Sequence, residues 1–345
     1  MKKITAALLC VMLVISTSVT AFGATKNDVK EKIDTAVAFA FDGNYSKNGY
    51  DVSASKNLYI LAQSGADISA FATDYFKSVS DAAAAGTLTD AGVIGMAVTI
   101  ADLAGADPEN INGTDLTNML NNADPGAVST PYNYFYAIEA AVNHGMKDTA
   151  AAFSNALAKY YIPGTGTDFW NGYGTSPDDL AMFILAMETA GAYTEYTKDA
   201  FEILETFATP DGYSNYGANA DSTALALAAY AAAGNTEQAD DIYDILIKNY
   251  YDPETGGFLA DYDEYYATAD AVFALRFYLP LADDAAPQES TTGNHETTTE
   301  SSSAQQNKDT GAKSPNTGIS VFPAAGAAVF ALAAGGLLVK RNKNK

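Results

Sequence analysis

Residues 211–234 read "DGYSNYGANADSTALALAAYAAAG", a turn rich in aromatic residues and glycine followed by a run that is apolar on nearly every side. A helix that is apolar all round has to be buried on all sides. The run stops at Gly234, and glycine is a usual C-terminal stop because it adopts the left-handed backbone conformation at little cost. These residues therefore predict a turn followed by a fully buried helix.

The same unit recurs along the chain. Apolar runs end at a glycine, and a polar helix start follows, at five places: Gly65, Gly105, Gly145, Gly191 and Gly234. The segments after these glycines are one-sided, as in residues 196–207, where apolar side chains form one stripe among charged ones. Such a stripe is typical of a helix with one face in water. The repeat therefore pairs a buried helix with an amphipathic one.

Six buried helices are predicted, and they start near Ser53, Thr89, Thr130, Ser176, Asp221 and Thr268. Six amphipathic helices accompany them, beginning with residues 27–41. Thr130-Pro131 and Ser176-Pro177 each place a capping hydroxyl before a proline at the first helical position. We therefore expect an all-α domain over residues 25–284, with six inner and six outer helices in an α/α toroid. An open solenoid of the same hairpins is the alternative.

The N-terminal 24 residues have the layout of a secretory signal peptide, with two lysines, an apolar stretch and small residues at the cleavage region. They contain Cys10, the single cysteine, so no disulfide or thiolate ligand is expected in the mature chain. Residues 285–313 are rich in Ser and Thr and predict a disordered linker. Removing the two leader lysines and four basic residues of the C-terminal tail takes the formal charge from −23 to −29. Such a chain repels nucleic acid.

Residues 314–345 combine a short motif, an apolar span over 319–339 and a basic tail. The 21-residue span could cross a bilayer as a helix of roughly 31 Å, so a permanent membrane anchor is one interpretation. The whole segment also resembles the cell-wall sorting signal of Gram-positive surface proteins, and the motif is Ser314, Pro315, Asn316, Thr317 and Gly318. The resemblance implies cleavage by a sortase between the last two residues and covalent attachment to peptidoglycan. Because the motif begins with serine instead of leucine, a variant-motif, class B type sortase is implied.

Three stretches resemble the repeat of terpenoid cyclases and protein prenyltransferases: "DFWNGYGTSPDDLAMFILAME" at 168–188, residues 211–234, and "ETGGFLADYDEYYATADAVFALRFY" at 254–278. The stretch "TDAGVIGMAVTIADLAGADPENINGTDL" at 89–116 is similar to a variant in exported bacterial proteins and in the helical domain of cobalamin carriers. The resemblance implies the α/α fold. Cobalamin binding is the weaker implication, because the carriers close a second domain over the ligand and here the linker follows.

The family's metal chemistry does not fit these residues. The prenyltransferases hold zinc with Asp, Cys and His, and no cysteine is expected in the mature chain. The proton-donating D-x-D-D cluster of the cyclases has its nearest match at residues 261–264, which end in glutamate. The magnesium motif D-D-x-x-D at 240–244 falls on a predicted outer helix, and His144 at a helix end is expected to be structural. We therefore expect no metal and no cofactor.

The turns before the inner helices bring aromatic residues toward one mouth of the predicted ring. Tyrosine and tryptophan present flat apolar faces with a polar edge, which suits sugars and other amphipathic ligands. The candidate ligand-binding residues are Trp170, Tyr173, Tyr213, Tyr216, Phe258, Tyr262, Tyr265 and Tyr266, and the polar residues beside them are Asp178, Asp179, Asn219, Asp221 and Asp270. The alternative is structural: the aromatic residues plug the ring and the carboxylates cap helices.

Two functions remain open at this point. The first is a non-enzymatic, wall-displayed binding or adhesion module for a glycan or another amphipathic ligand, which the short loops favour. The second is an extracellular glycan-cleaving enzyme of the (α/α)6 type, which needs two carboxylates about 5 to 10 Å apart. Its candidate catalytic residues are Asp178 or Asp179 with Asp221 or Asp263.

The sorting signal yields a first prediction. We expect the Thr317→Ala variant to lose wall attachment, because the change alters the cleavage site and leaves the apolar span intact. The measurement is extraction of intact cells: wall-degrading enzymes should release the wild-type protein ending at Thr317, and detergent alone should not. A variant that stays attached to the wall, or a wall-associated wild-type protein that still ends at Lys345 by mass spectrometry, would refute the sorting signal.

Overall fold

A computed structural model of the chain describes residues 24–47, 49–214 and 217–284. The chain divides into two compact units, residues 1–288 and 289–345, and every described element belongs to the first. The predicted leader up to residue 23, the linker, the sorting signal and Tyr216 lie outside the described residues.

The described part is mostly helical, which confirms the predicted all-α class. Its helices are α1 Lys26–Val37, α2 Ser55–Gln63, α3 Ser69–Ala84, α4 Ala91–Leu103, α5 Leu116–Asn121, α6 Asn133–Asn143, α7 Lys147–Leu157, α8 Pro177–Ala190, α9 Thr194–Leu204, α10 Ala220–Ala232, α11 Thr236–Tyr250 and α12 Glu264–Tyr278. A π-helix, Ala38–Tyr45, extends α1, and short 3-10 turns cover Val52–Ala54, Ala158–Tyr160 and Glu205–Phe207. Two small antiparallel hairpins pair β1 Tyr161–Ile162 with β2 Gly166–Thr167, and β3 Ala208–Thr209 with β4 Gly212–Tyr213.

The even-numbered helices are the predicted inner ones. Each packs against the next even-numbered helix along the chain, and α12 also packs against α2. They are buried along most of their length, as α10 is from Ala220 to Ala231. All five glycines that were predicted to end these helices have positive φ angles, between 61° and 84°. The left-handed stop therefore sets the end of each inner helix.

The odd-numbered helices lie outside the inner ones and bury one face. In α11, for example, the buried side chains are Ala239, Ile242, Tyr243 and Leu246, which recur at helical spacing. α1 packs against α12, α7 against α6, α9 against α8 and α11 against α10. No helix within the described ranges is both long enough and apolar enough to cross a membrane.

One of the two predicted proline helix starts is confirmed. The Ser176 hydroxyl accepts the Asp179 N–H at 3.1 Å, and Pro177 is the first residue of α8. The prediction for Thr130 was wrong, because α6 begins three residues later. The cause is Asp90 of the neighbouring helix start, whose carboxylate accepts the Ser129 N–H at 2.6 Å and holds the preceding segment in a turn.

Two glycines let α4 and α6 approach through their backbones. A Cβ atom added at Gly92 would lie 2.4 Å from the carbonyl oxygen of Asn133, and one added at Gly95 would lie 2.4 Å from that of Tyr136. Real Cβ atoms do not reach such distances, so any side chain here would separate the helices. This contact explains why an inner helix tolerates two residues of low helix propensity.

A buried polar network joins three inner helices at the centre of the domain. Arg276 of α12 donates to Glu139 of α6 at 3.0 Å and to the Tyr59 hydroxyl of α2 at 2.6 Å, and Tyr59 also donates to Glu139. The guanidinium lies 4.0 Å from the ring centroid of Phe277 and 5.1 Å from that of Phe273. Burial raises the pKa of Tyr59 well above its usual value, so its hydroxyl stays a donor.

The close approach of α4 and α6 predicts that a methyl group at Gly95 destabilises the domain. We expect Gly95→Ala to lower the free energy of unfolding by about 1–3 kcal/mol, because the methyl group meets backbone atoms that cannot retreat. Helix propensity by itself would instead raise stability by about 1 kcal/mol. Chemical denaturation of the two proteins measures the difference, and a more stable variant would contradict the close approach.

Candidate functional site

A cavity of about 260 Å³ opens at the N-terminal ends of the inner helices. Its charged lining residues are Lys56, Asp178, Asp221 and Asp270. Its walls are formed by carbon-rich side chains from α6, α8, α10 and α12 and from the segment before α6: Tyr132, Tyr136, Met182, Leu225, Tyr266 and Phe273. The cavity therefore combines a compact acidic cluster with aromatic and aliphatic surfaces.

Helix geometry places the carboxylates at this end. Asp178 and Asp221 are the second residues of α8 and α10, and Lys56 is the second residue of α2. Asp270 lies nearly two turns into α12, so it lines the cavity from farther along its helix than Asp178 and Asp221 do. A carboxylate in the first turn of a helix is favoured by the positive end of the helix dipole. The sequence positions and the dipoles therefore both favour acidic residues here.

The charges are only partly compensated. The Lys56 ammonium group lies 3.0 Å from Asp270, which is almost fully buried. Burial lowers the pKa of Lys56, but the Asp270 carboxylate outweighs this effect and leaves the pKa raised, so the ammonium group stays charged. No second cation lines the cavity in the described part of the chain. Among the described residues, Asp178 and Asp221 therefore have no counter-ion besides the Lys56 that Asp270 already pairs with.

The pKa values of both uncompensated carboxyl groups are raised. Burial raises the pKa of Asp178 to about 6, with a further increase from Asp270. Burial raises the pKa of Asp221 to about 8, and the Asp270 and Asp178 carboxylates add to the effect. Asp221 therefore holds its proton to a higher pH than Asp178 does. Two carboxyl groups with separated pKa values in one cavity are typical of a functional site.

Each of these two residues also has an oxygen without a hydrogen-bond partner. The atoms are Oδ1 of Asp178 and Oδ1 of Asp221, and both are buried. Ser222 hydrogen-bonds the Asp178 carboxyl group, which leaves the other oxygen unused. Leaving a buried acceptor unpaired costs about 1–3 kcal/mol. A ligand that supplies donors would recover that cost.

Asp179 and Asp263, the other two candidate catalytic residues, have different surroundings. Asp179 accepts from the Tyr132 hydroxyl at 2.7 Å, from Trp170 Nε1 at 3.0 Å and from the Ser176 N–H at 3.1 Å. Asp263 is exposed and caps α12 by accepting the N–H groups of Tyr265 and Tyr266. Neither residue lines the cavity. Of the four candidates, the structure brings Asp178 and Asp221 together.

The predicted aromatic residues divide into exposed and buried sets. Trp170, Tyr173, Tyr262, Tyr265 and Tyr266 are the exposed aromatic residues of the described ranges, and Tyr173 is 92% exposed. Trp170 and Tyr173 lie on the segment before α8, Tyr262 lies on the segment before α12, and Tyr265 and Tyr266 lie in the first turn of α12. We call these five residues the aromatic rim. Asn219, in the segment before α10, caps that helix by accepting the Ser222 N–H at 2.8 Å.

Tyr213 and Phe258, which were predicted to bind ligand, do not belong to the candidate site, because both side chains are buried. The Tyr213 N–H donates to the Thr223 hydroxyl at 3.0 Å, and the Phe258 N–H donates to the Thr268 hydroxyl at 2.8 Å. The same bond from a backbone N–H to a threonine hydroxyl occurs in both turns, and both rings lie in the hydrophobic core. There the Tyr213 hydroxyl donates to Glu205 at 2.9 Å.

Several cavity residues were not predicted from the sequence: Lys56, Tyr132 and Tyr136. A usable signal existed for Lys56, since a lysine in the first turn of a buried helix requires a partner.

His144 lies at the opposite end of α6 and contacts Asp102 at 2.9 Å. Within the described ranges, no group of three or more His, Cys, Asp or Glu residues is arranged to hold a metal ion.

A scan against protein-family models finds no match to the chain, and a search of curated proteins also finds none. The resemblance to terpenoid cyclases and prenyltransferases therefore stays a prediction from the sequence. Function has to be inferred from the geometry and charges of the cavity.

The raised pKa of Asp221 predicts how stability depends on pH. Since the folded state holds this proton more tightly than the unfolded chain, stability should fall as the pH rises from about 4 to about 8. Asp221→Asn removes the titration, so we expect a flatter profile and a gain on the order of 2–4 kcal/mol above about pH 8. Chemical denaturation across this pH range measures both effects.

Asp261→Asn is the matched control, because it removes the same charge from an exposed position. Its pH profile should run parallel to that of the wild-type protein. Parallel profiles for Asp221→Asn and the wild-type protein would show that Asp221 keeps an ordinary pKa.

Proposed function

We propose that this chain is a cell-wall-anchored surface protein whose helical domain is a non-enzymatic binding module for a single sugar unit or a similarly compact amphipathic ligand. The domain is proposed to be a closed α/α toroid of six inner and six outer helices. Support for closure comes from the packing of α12 against α2 and from the Lys56–Asp270 pair between the same helices. An open solenoid would leave the first and last inner helices without this contact.

The observation that carries the binding function is the pair of unpartnered, buried carboxyl oxygens in the cavity. An ionised carboxyl group accepts hydrogen bonds and a protonated one can also donate, and sugar hydroxyl groups match either state because they do both. Tyr136 and Tyr266 supply the flat carbon surfaces that pack against the apolar faces of a sugar ring. A volume of about 260 Å³ suits one ring and is too small for a long chain.

The aromatic rim extends this surface beyond the cavity. Trp170 is 42% exposed although its indole N–H is held by Asp179, so its ring is fixed in place. Tyr265 stacks on Phe39, with ring centroids 5.0 Å apart. Rigid aromatic residues lose little conformational entropy on binding, which favours recognition of flat ligands. The rim could therefore contact the units that flank the one in the cavity.

Display on the wall is part of the proposal and rests on the sequence. The segment 314–345 resembles a sorting signal, and the polar linker before it would let the domain stand away from its attachment point. An exported, wall-attached domain meets glycans more readily than intracellular metabolites. The location therefore agrees with the ligand class that the cavity favours.

A glycan-cleaving enzyme is the second candidate, and the separated pKa values favour it. Asp221, with a pKa of about 8, would remain a proton donor at neutral pH, and Asp178, with a pKa of about 6, would be ionised. This is the division of roles that glycosidases use. The small cavity argues for the binding module, because a polymer must extend on both sides of the cleaved bond.

We expect the full chain, produced in a host without sortase and purified in mild detergent, to bind sugars of the cell wall. The probes are glucose, glucosamine, N-acetylglucosamine and the disaccharide of N-acetylglucosamine and N-acetylmuramic acid, measured by calorimetry and saturation-transfer NMR. Tyr266→Ala should weaken binding about tenfold, since it removes one wall of the cavity. Leu103→Ala removes an exposed apolar side chain at the other end of the inner helices and should change affinity less than about twofold.

Failure of all probes to bind, or equal losses in the two variants, would refute the binding module. Release of new reducing ends from wall glycan, abolished by Asp178→Asn and by Asp221→Asn, would instead assign the enzyme. Binding without hydrolysis supports the first candidate.

A further inference from the structure

The cavity contains more negative groups than its lysine can balance. Three carboxyl groups face it, from α8, α10 and α12, and the single ammonium group of Lys56 comes from α2. Lys56 is committed to Asp270, with an N–O distance of 3.0 Å. Asp178 and Asp221 therefore form an acidic pair whose cation is not provided by the described residues.

Asp221 is only 8% exposed, Asp178 is half-buried, and the Oδ1 atoms of both are buried. Neither Oδ1 atom has a hydrogen-bond donor among the described residues. A neutral hydroxyl group could satisfy these oxygens, but a charged N–H donor would satisfy them and also balance one negative charge of the pair. Charge-assisted hydrogen bonds are about twice as strong as neutral ones. The acidic pair therefore favours a ligand that carries a positive charge.

The walls indicate that this ligand is organic. Met182, Leu225 and Phe273 line the cavity below the carboxylates, and Tyr136 and Tyr266 line its sides. A bare divalent ion is surrounded by oxygen ligands and fills far less space than about 260 Å³. The Tyr266 ring already faces a cation, because Lys56 Nζ lies 4.8 Å from its centroid. Aromatic faces attract ammonium groups.

We infer that the cavity is selective for a sugar unit bearing a free, protonated amino group, and that the ammonium group binds between Asp178 and Asp221. This inference rests on the proposed function and narrows its ligand from sugars in general to amino sugars without an N-acetyl group. The hydroxyl groups of the ring contact the polar edge of the cavity, and its carbon face packs on the tyrosines. N-acetylation removes the charge and lengthens the substituent, so acetylated sugars bind weakly.

The titration of Asp221 gives the complex an independent signature. The groups that face Asp221 are Asp178 from α8, Asp263, Tyr266 and Asp270 from α12, and Lys56 from α2. Burial and the carboxylates raise the Asp221 pKa to about 8, so the empty cavity holds a proton at neutral pH. An ammonium group favours the ionised carboxylate and displaces that proton. Binding therefore releases a proton to the solvent.

The test compares glucosamine with glucose, which differ by an amino group in place of one hydroxyl. Calorimetry on the full chain in mild detergent at about pH 7 should show glucosamine binding at least about tenfold more tightly than glucose or N-acetylglucosamine. Repeating the titration in buffers of different ionisation enthalpy should detect the released proton. Asp221→Asn should reduce the preference for glucosamine to below about threefold and abolish proton release.

Two controls test whether a lost preference for glucosamine comes instead from unfolding or from the change in net charge. Asp221→Asn is expected to be at least as stable as the wild-type protein at the pH of the binding test, about 7, because the wild-type protein loses stability from about pH 4 upward. Lost selectivity then cannot be ascribed to unfolding. Asp261→Asn removes an exposed carboxylate from the same end of the domain and should keep the full preference for glucosamine.

The outcomes separate this inference from the proposed function. Equal affinity for glucose and glucosamine would overturn the amino-sugar selectivity while leaving a sugar-binding module. No binding of any sugar would overturn both. A preference for glucosamine that survives Asp221→Asn would overturn the location of the ammonium group. Calcium binding that depends on Asp221, without selectivity for glucosamine, would assign the cavity to a metal ion and overturn the inference.

Discussion

The buried ion pair between Arg276 and Glu139 is the constraint on which the rest of the domain depends. Breaking such a pair leaves an uncompensated charge in the interior, which costs about 3–5 kcal/mol. Because Tyr59 completes the network, the pair holds α2, α6 and α12 in one arrangement. Tyr136 and Phe273, which form part of the cavity, lie one helical turn away on the same helices. The network therefore also supports the base of the cavity.

The two polar clusters of the inner helices differ in how their charges are paired. In the Arg276 network the positive and negative charges are matched and aromatic rings surround the guanidinium, although its Nε atom has no hydrogen-bond partner among the described residues. At the mouth, Asp178 and Asp221 retain unpaired oxygens and raised pKa values. The unpaired oxygens of Asp178 and Asp221 lower the stability of the domain at this end of the inner helices. Such a loss is characteristic of a binding or catalytic site.

Prediction from the sequence succeeded where the signal was local and failed where a distant residue intervened. The glycine stops and the Ser176 capping box were correct because each involves residues within one turn of a helix end. The start of α6 was misplaced because Asp90, about forty residues earlier, holds its leading segment. Tyr213 was assigned to the mouth because it precedes an inner helix, but the Thr223 hydroxyl turns its backbone and buries the ring.

The helical repeat could be predicted from the residues alone, since apolar periodicity and left-handed glycine stops act over a few residues. The sequence also placed acidic and aromatic residues at the start of the inner helices. Only the tertiary structure decided between Asp178 and Asp179, because neighbouring residues on a helix point about 100° apart and only one of them faces the cavity. It alone brought Lys56 to Asp270, 214 residues along the chain, since that contact depends on α2 and α12 packing together.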